Sequence, residues 1–318
     1  MTFRTALIPT ALLLATCGLL HAQTTQPAAA PAAKATTQPA PTTVVATVGE
    51  TKITSDRLDG PLKALPEGFP ADRIPMVKAK VLNSIIMGEM IHNFLEEQKA
   101  PFDPNTHKEF LTELKNQATE RGVTLDKLML MYNLTDQKIR DRVRLTVLAK
   151  KETTDEKIDA LIKDHPKWFS GATVTASHIL IKCDPTAPTA DQKAAIKKLE
   201  KIAANIKAGK TTFEEAAAAN SDCPSGKRDK GSLGEFEFAK MVPPFSMKAF
   251  EMEKGEVSGV FRTSFGFHII KLTERGKESG KPDPAAKMAA KNCLISMLEG
   301  RLFDQALTTL PIVIMDKK

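Results

Sequence analysis

Apolar residues recur three or four positions apart from Asp72 to about Lys151, as in Met76, Val77, Val81, Ile85, Met90 and Phe94, with polar residues between them. That spacing predicts successive amphipathic helices, each with one apolar face. Pro101 and Pro104 end the first, and Asp103 or Asn105 caps a second that carries Phe110, Leu111 and Leu114. Gly122 separates it from Thr124-Leu125-Asp126-Lys127-Leu128. A further helix from Thr135 places Ile139, Val143 and Val147 on one face, and residues 155–162 extend the pattern. Ahead of the helices, the β-branched run Val44-Val45-Ala46-Thr47-Val48 turns at Gly49-Glu50 and resumes at Thr51-Lys52-Ile53, with Thr54 or Ser55 placed to cap a helix.

After Trp168-Phe169 the period changes to that of a strand, Val174-Thr175-Ala176-Ser177-His178-Ile179-Leu180-Ile181, which sets a domain boundary near Gly171. Helices are expected at 190–207 and 212–220, then a Gly-rich loop at 226–234 leading into short strands, with 257–262 and 266–272 as a closing hairpin. Strand, helices and strands in that order predict an α+β fold, an antiparallel sheet with surrounding helices, flanked by an all-α module. Residues 276–284 read as a linker. Residues 285–310 form one more helix with Leu294, Leu298, Leu302 and Leu307 available to pack, ending in Pro311-Ile312-Val313-Ile314. The expected division is therefore a helical domain at 44–170, an α+β domain at 171–275, and a segment at 276–318 whose helix packs back on the first.

The N-terminus adds an address. Arg4 precedes an apolar run at 6–20 that ends at His21-Ala22-Gln23, too short to span a bilayer, so 1–22 reads as a secretory signal cleaved after Ala22. Leu14-Ala15-Thr16-Cys17 is a rival lipoprotein box, and membrane attachment is expected only if Cys17 is lipidated. Residues 23–43 are almost all Ala, Pro, Thr and Gln, the composition of an extended spacer. Cleavage leaves Cys183, Cys223 and Cys293, and three thiols cannot all pair within one chain, which argues against a disulfide framework. The formal charge of +7 is spread along the chain with no Arg-rich run, so nucleic acid is not expected as a partner.

The chemistry-bearing residues lie between 176 and 272. His178 stands in Ala-Ser-His-Ile-Leu-Ile and His268 in Phe-Gly-Phe-His-Ile-Ile. Between them come Ser221-Asp222-Cys223-Pro224-Ser225, then Lys230-Gly231-Ser232-Leu233-Gly234-Glu235-Phe236, then Met241-Val242-Pro243-Pro244-Phe245. Taken singly, each histidine reads more readily as a satisfied core residue and each large apolar residue as packing. In this order, with little gapping, the set resembles the parvulin family of peptidyl-prolyl cis/trans isomerases.

The resemblance implies that His178 and His268 are the active-site histidine pair, Cys223 the Cys-or-Asp position, and Thr263 the hydroxyl that tunes the pair. It implies that Leu233, Met241 and Phe245, with Phe236, form the substrate-binding pocket for the proline ring. Lys182 matches a basic residue of the phosphate-directed branch, but no Arg pair follows it, so strict phosphoserine or phosphothreonine selectivity is not expected. The flanking layout resembles that of the SurA and PrsA foldases, whose helical segments form a chaperone module around the inserted isomerase. Met76, Met87, Met90, Met129 and Met131 would suit adaptable contacts there, though a Met stripe is more often plain core.

Physical chemistry agrees with the resemblance. Rotating an X-Pro bond breaks amide resonance, a barrier of about 18–20 kcal/mol, and makes no covalent bond. A site for it needs an apolar socket for the ring and a dry polar surround for the twisted amide, which neutral imidazoles with a hydroxyl or thiol supply. A Cys/His hydrolase finds no third orienting residue or oxyanion motif, and a metal site finds no ligand spacing; no cofactor is expected. The function expected is an exported isomerase, in the periplasm or cell envelope, assisting unfolded or partly folded exported proteins. The alternative is a holding chaperone with a weakly active or inactive parvulin domain.

Overall fold

The computed structural model describes residues 42–63, 65, 68–276 and 285–315. The expected signal at 1–22 with Cys17, the spacer up to residue 41, and linker residues 277–284 lie outside the described residues. Strands β1 (Val44–Val48) and β2 (Thr51–Thr54) pair antiparallel about the Gly49 turn. Six helices follow: α1 (Asp56–Lys63), α2 (Ile74–Glu97), α3 (Pro104–Glu120), α4 (Leu125–Met131), α5 (Asp136–Glu152) and α6 (Asp155–Asp164).

The starts of α3, α4, α5 and α6 are fixed by side chains that take up backbone N–H groups left over at a helix end. The Asp103 carboxylate accepts from Asn105 N and Thr106 N, and the hydroxyls of Thr124, Thr135 and Thr154 accept from Lys127 N, Lys138 N and Lys157 N. Each such cap contributes about 1 kcal/mol. Along α2 the heptad-like spacing buries Val77, Val81, Ile85, Met90 and Phe94, but Met76, one residue out of phase at the helix start, is half exposed.

The second unit begins at β3 (Thr173–Lys182) and continues with α7 (Thr189–Lys207), α8 (Phe213–Asn220), α9 (Pro224–Asp229), β4 (Ser232–Glu237), α10 (Pro243–Glu251), β5 (Phe261–Thr263) and β6 (Gly266–Arg275). The strands form an antiparallel sheet in the order β4-β3-β6-β5. Alternation along the two central strands sorts their side chains. Ile179, Ile181, Phe267 and Ile269 join α7 and α8 in one core, while Val174, Ala176, Ile270 and Leu272 join α6, α10 and the aromatic residues Trp168, Phe236, Phe238 and Phe250 in another.

Two stretches differ from their sequence pattern. The expected Gly-rich loop is largely structured, since Pro224 starts a short helix and β4 begins at Ser232. The first arm of the closing hairpin shrinks to β5, with Val257 keeping a single bridge to Lys271. There the Ser258 hydroxyl takes the Ile270 N–H that a strand carbonyl would otherwise accept.

The last helix, α11 (Ala286–Thr308), serves both units. Its first half buries Ala290 and Cys293 against the α6 and α10 core, and its second half buries Leu298, Leu302 and Ala306 with α2 and α5. Beyond it β7 (Ile312–Ile314) pairs with β1, giving a three-stranded sheet in the order β2-β1-β7. Cys183, Cys223 and Cys293 are all free thiols. Among the described residues no helix is long and apolar enough to cross a membrane.

Candidate active site

Sheet alternation places His178 and His268 on one face. In the β3–β6 register His178 lies opposite Ile270 and Leu180 opposite His268, so the two imidazoles are diagonal neighbours. Their Nδ1 atoms are 3.4 Å apart and both side chains are buried. Gly231 supplies the backbone beside them: its carbonyl accepts the His178 N–H at 2.9 Å. A Cβ at residue 231 would stand 2.7 Å from the His178 carbonyl oxygen, and its φ of +86° lies in the left-handed region, so only glycine fits.

A chain of polar contacts runs through the pair. The His268 Nε2 meets Thr263 Oγ1 at 2.8 Å, and that hydroxyl oxygen also accepts the Phe265 N–H. At the other end His178 Nε2 lies 3.3 Å from Ser225 Oγ, which in turn lies 3.2 Å from Cys223 Sγ. Burial pushes the His178 imidazole down to about 4. Burial, with the neighbouring His178 as a second cause, pushes His268 down to about 3. Both rings are therefore neutral at neutral pH.

Two neutral imidazoles facing through Nδ1 can share only one proton there, which orders the whole chain in one of two senses. In one, the Cys223 thiol donates to Ser225, Ser225 to His178, His178 to His268 and His268 to Thr263. In the other every donor and acceptor exchanges roles, and Ser225 donates to the sulfur. Every link is satisfied in both senses, and changing one link requires changing all.

Aromatic rings close the site. Phe245 on α10 stands edge-on to His178 and to His268, 5.7 Å from each centroid at 80° and 78°. Leu233 and Met241 are partly buried in the same cluster as Phe245. Phe236 is set behind, packed on Phe245 and Phe250. Phe261 stacks on His268 at 5.5 Å and 23° and also touches Phe245. Cys223, half-buried, is the more open end of the chain. Among the described residues no group of three or more His, Cys, Asp or Glu side chains is placed to hold a metal ion.

Residues 178–274 match the Rotamase family model, described as a PPIC-type PPIASE domain. Peptidyl-prolyl cis-trans isomerase Pin1 of Arabidopsis thaliana is 39% identical over 113 residues, 31% of this chain and 94% of that protein. The foldase protein PrsA of Geobacillus sp. (strain WCH70) is 31% identical over 208 residues, 65% of this chain and 67% of that protein. This chain belongs to the parvulin family of peptidyl-prolyl cis-trans isomerases. Within the family it is homologous to the PrsA and SurA proteins. The chaperone SurA of Salmonella choleraesuis (strain SC-B67) is 38% identical over 135 residues, 42% of this chain and 31% of SurA.

In this parvulin the sequence-predicted His178, His268, Thr263, Cys223 and Phe245 come together, with Leu233 and Met241 in the adjoining cluster. Two neighbours were not picked out from the sequence. Ser225 connects the thiol to the histidines; its signal is its position two residues after Cys223, on the first turn of a helix that the glycines had disguised as loop. Phe261, which stacks on His268, sits in a strand of only three residues, too short for its alternation to register.

Proposed function

We propose that this parvulin is an exported foldase that turns X-Pro bonds in unfolded or partly folded exported proteins while its helical module holds them. The buried, neutral His178–His268 chain, running from Thr263 to Cys223 beside the Phe245 ring, is the observation that carries the catalytic half of this reading. Leu233, Met241 and Phe245 are assigned to grip the proline ring, with Phe236 backing Phe245. His178, His268, Thr263 and Cys223 form the polar surround that tolerates an amide twisted out of conjugation. No bond to the substrate is made; the gain is selective stabilisation of the twisted state.

The holding half is assigned to residues 44–170 together with 276–318. It is supported by Ile74, Met76, Leu130 and Met131, large apolar side chains left exposed on the helical module. The apolar run at 6–20 before Ala22 supports export.

The test is a coupled proline-isomerisation assay on the whole protein and on His268→Ala, with aggregation of a denatured client measured in parallel. The wild type is expected to accelerate exchange, and the variant to lose at least about tenfold, or 1.4 kcal/mol of transition-state stabilisation, while still suppressing aggregation. A wild type that suppresses aggregation without accelerating exchange would replace this reading with that of a holding chaperone alone, which the exposed apolar side chains also favour.

A further inference from the structure

Strand β5 has two faces with different partners. Phe261 and Thr263 point to His268, one by stacking and one by a hydrogen bond. Arg262 lies between them, and alternation sends it to the other face, opposite Phe267 in the register with β6. Its guanidinium carbon lies 4.9 Å from the Phe267 ring centroid and 5.0 Å from that of Phe303. Phe267 belongs to the core under the isomerase sheet, whereas Phe303 is on α11 and packs into the core of the helical module. One arginine thus joins the two units directly behind the strand that holds His268.

The bonding around Arg262 is unusual for a purely structural arginine. Its Nη1 donates to Gln192 Oε1 at 2.8 Å, and Gln192 is itself fixed by donating to the carbonyls of Pro185 and Ala187. Its Nε and Nη2 are buried without a hydrogen-bond partner. Leaving such donors unmade is costly, so buried groups of this kind need a reason. Toward α11 it stacks on the Phe303 ring, attracted through the ring quadrupole, and also feels the negative charge of Asp304 on the same helix, with no hydrogen bond between them. A second tie lies alongside, where the Ile312 N–H of β7 donates to Thr189 Oγ1 at the start of α7.

We propose that Arg262 is a positioning residue of the isomerase site, clamping β5 to Phe303 so that the placement of α11 in the helical module is felt at His268 through Phe261 and Thr263. This rests on the assignment of His268 above. Occupancy of the helical module by a client would then adjust the rate at which the same chain is isomerised.

The test uses full-length Phe303→Leu, Arg262→Met, the double variant and Arg262→Lys, with His268→Ala as reference. Steady-state kcat and KM for an X-Pro peptide are measured, together with the 15N imidazole signals of His268. Each single change is expected to lower kcat about three- to tenfold at unchanged KM and to move the His268 signal, as for other couplings carried through packed side chains. The double variant is expected to lose no more than the larger single loss, and Arg262→Lys to recover part of it. Phe303→Leu with wild-type kcat and an unmoved His268 signal in a folded protein, or additive losses in the double variant, would overturn the coupling. A fully active His268→Ala would instead overturn the site assignment, so the two failures are separable.

Discussion

In the isomerase unit Ser225, His178, His268 and Thr263 are buried together and each is bonded to the next, whereas the helical module leaves Ile74, Met76, Leu130 and Met131 40%, 50%, 45% and 42% exposed. The candidate site hides polar groups and the helical module displays apolar ones, although Phe265 at 59% is exposed on the isomerase unit and Asp141 at 4% is buried in the helical module. Each departs from the rule that polar side chains face water and apolar ones do not, and the two departures have different costs. A buried polar chain must be complete, because one missing partner leaves a desolvated atom unpaired. An exposed apolar surface has no such requirement and tolerates change. That contrast matches the proposed division of labour, selective stabilisation of one twisted amide on one side and loose contact with many chains on the other.

The sharpest way to break the contrast is Ser225→Ala. It strips the partner from His178 Nε2 and from Cys223, and is expected to lower stability by about 1–3 kcal/mol, read from urea unfolding. A neutral effect would mean that the chain is not a closed network.

Acid is a second lever on the same chain. The folded-state pKa values of His178 and His268, about 4 and about 3, lie below the ordinary 6.5, so the unfolded chain binds more protons. Their contribution to stability is present above about pH 6.5 and is lost as pH falls through 4 toward 3. Glu299 on α11 acts the other way: burial raises its carboxyl to about 7, so its contribution is present below about pH 4.5 and fades as pH rises to 7. Urea melts followed by the fluorescence of Trp168 should therefore show declining stability from pH 6.5 downward, and Glu299→Gln should steepen the decline.

The smallest effect is expected for Met76→Gln combined with Leu130→Gln. Both side chains are exposed, so stability should change by no more than about 0.5 kcal/mol while suppression of client aggregation weakens. Unchanged suppression would remove this surface from the proposed holding role.

Much of the molecule was legible from one sequence. The β-branched and apolar run at 174–181 and the order of the two histidines, Cys223 and Phe245 located the isomerase sheet: the run alternates at its start and is buried on both faces from Ala176 to Ile181. Asp103 was legible as a cap and Thr135 as a helix start, since a capping bond is local; that the Thr124 and Thr135 hydroxyls make the same kind of bond came from the structure. The illegible part is long-range. Arg262 meets Phe303 across the fold, with no periodicity linking them, and β7 is too short to announce itself until β1 is beside it. Met76 stands next to Val77 in the same apolar run, one residue out of phase with the buried row Val77, Val81 and Ile85, and is half exposed.

The pairing of β7 with β1 also bears on how the chain comes into being. Ala46 stands opposite Ile314, so the first described strand to leave the ribosome waits for the last described one. The isomerase sheet, contiguous from 173 to 275, has all its strands well before that, although its second core still awaits Ala286, Ala290 and Cys293 of α11. Such distant closure is slow and leaves sheet edges open in the meantime. The helical module therefore cannot close its three-stranded sheet until residue 314 has been made, whereas every strand of the isomerase sheet is present by residue 275.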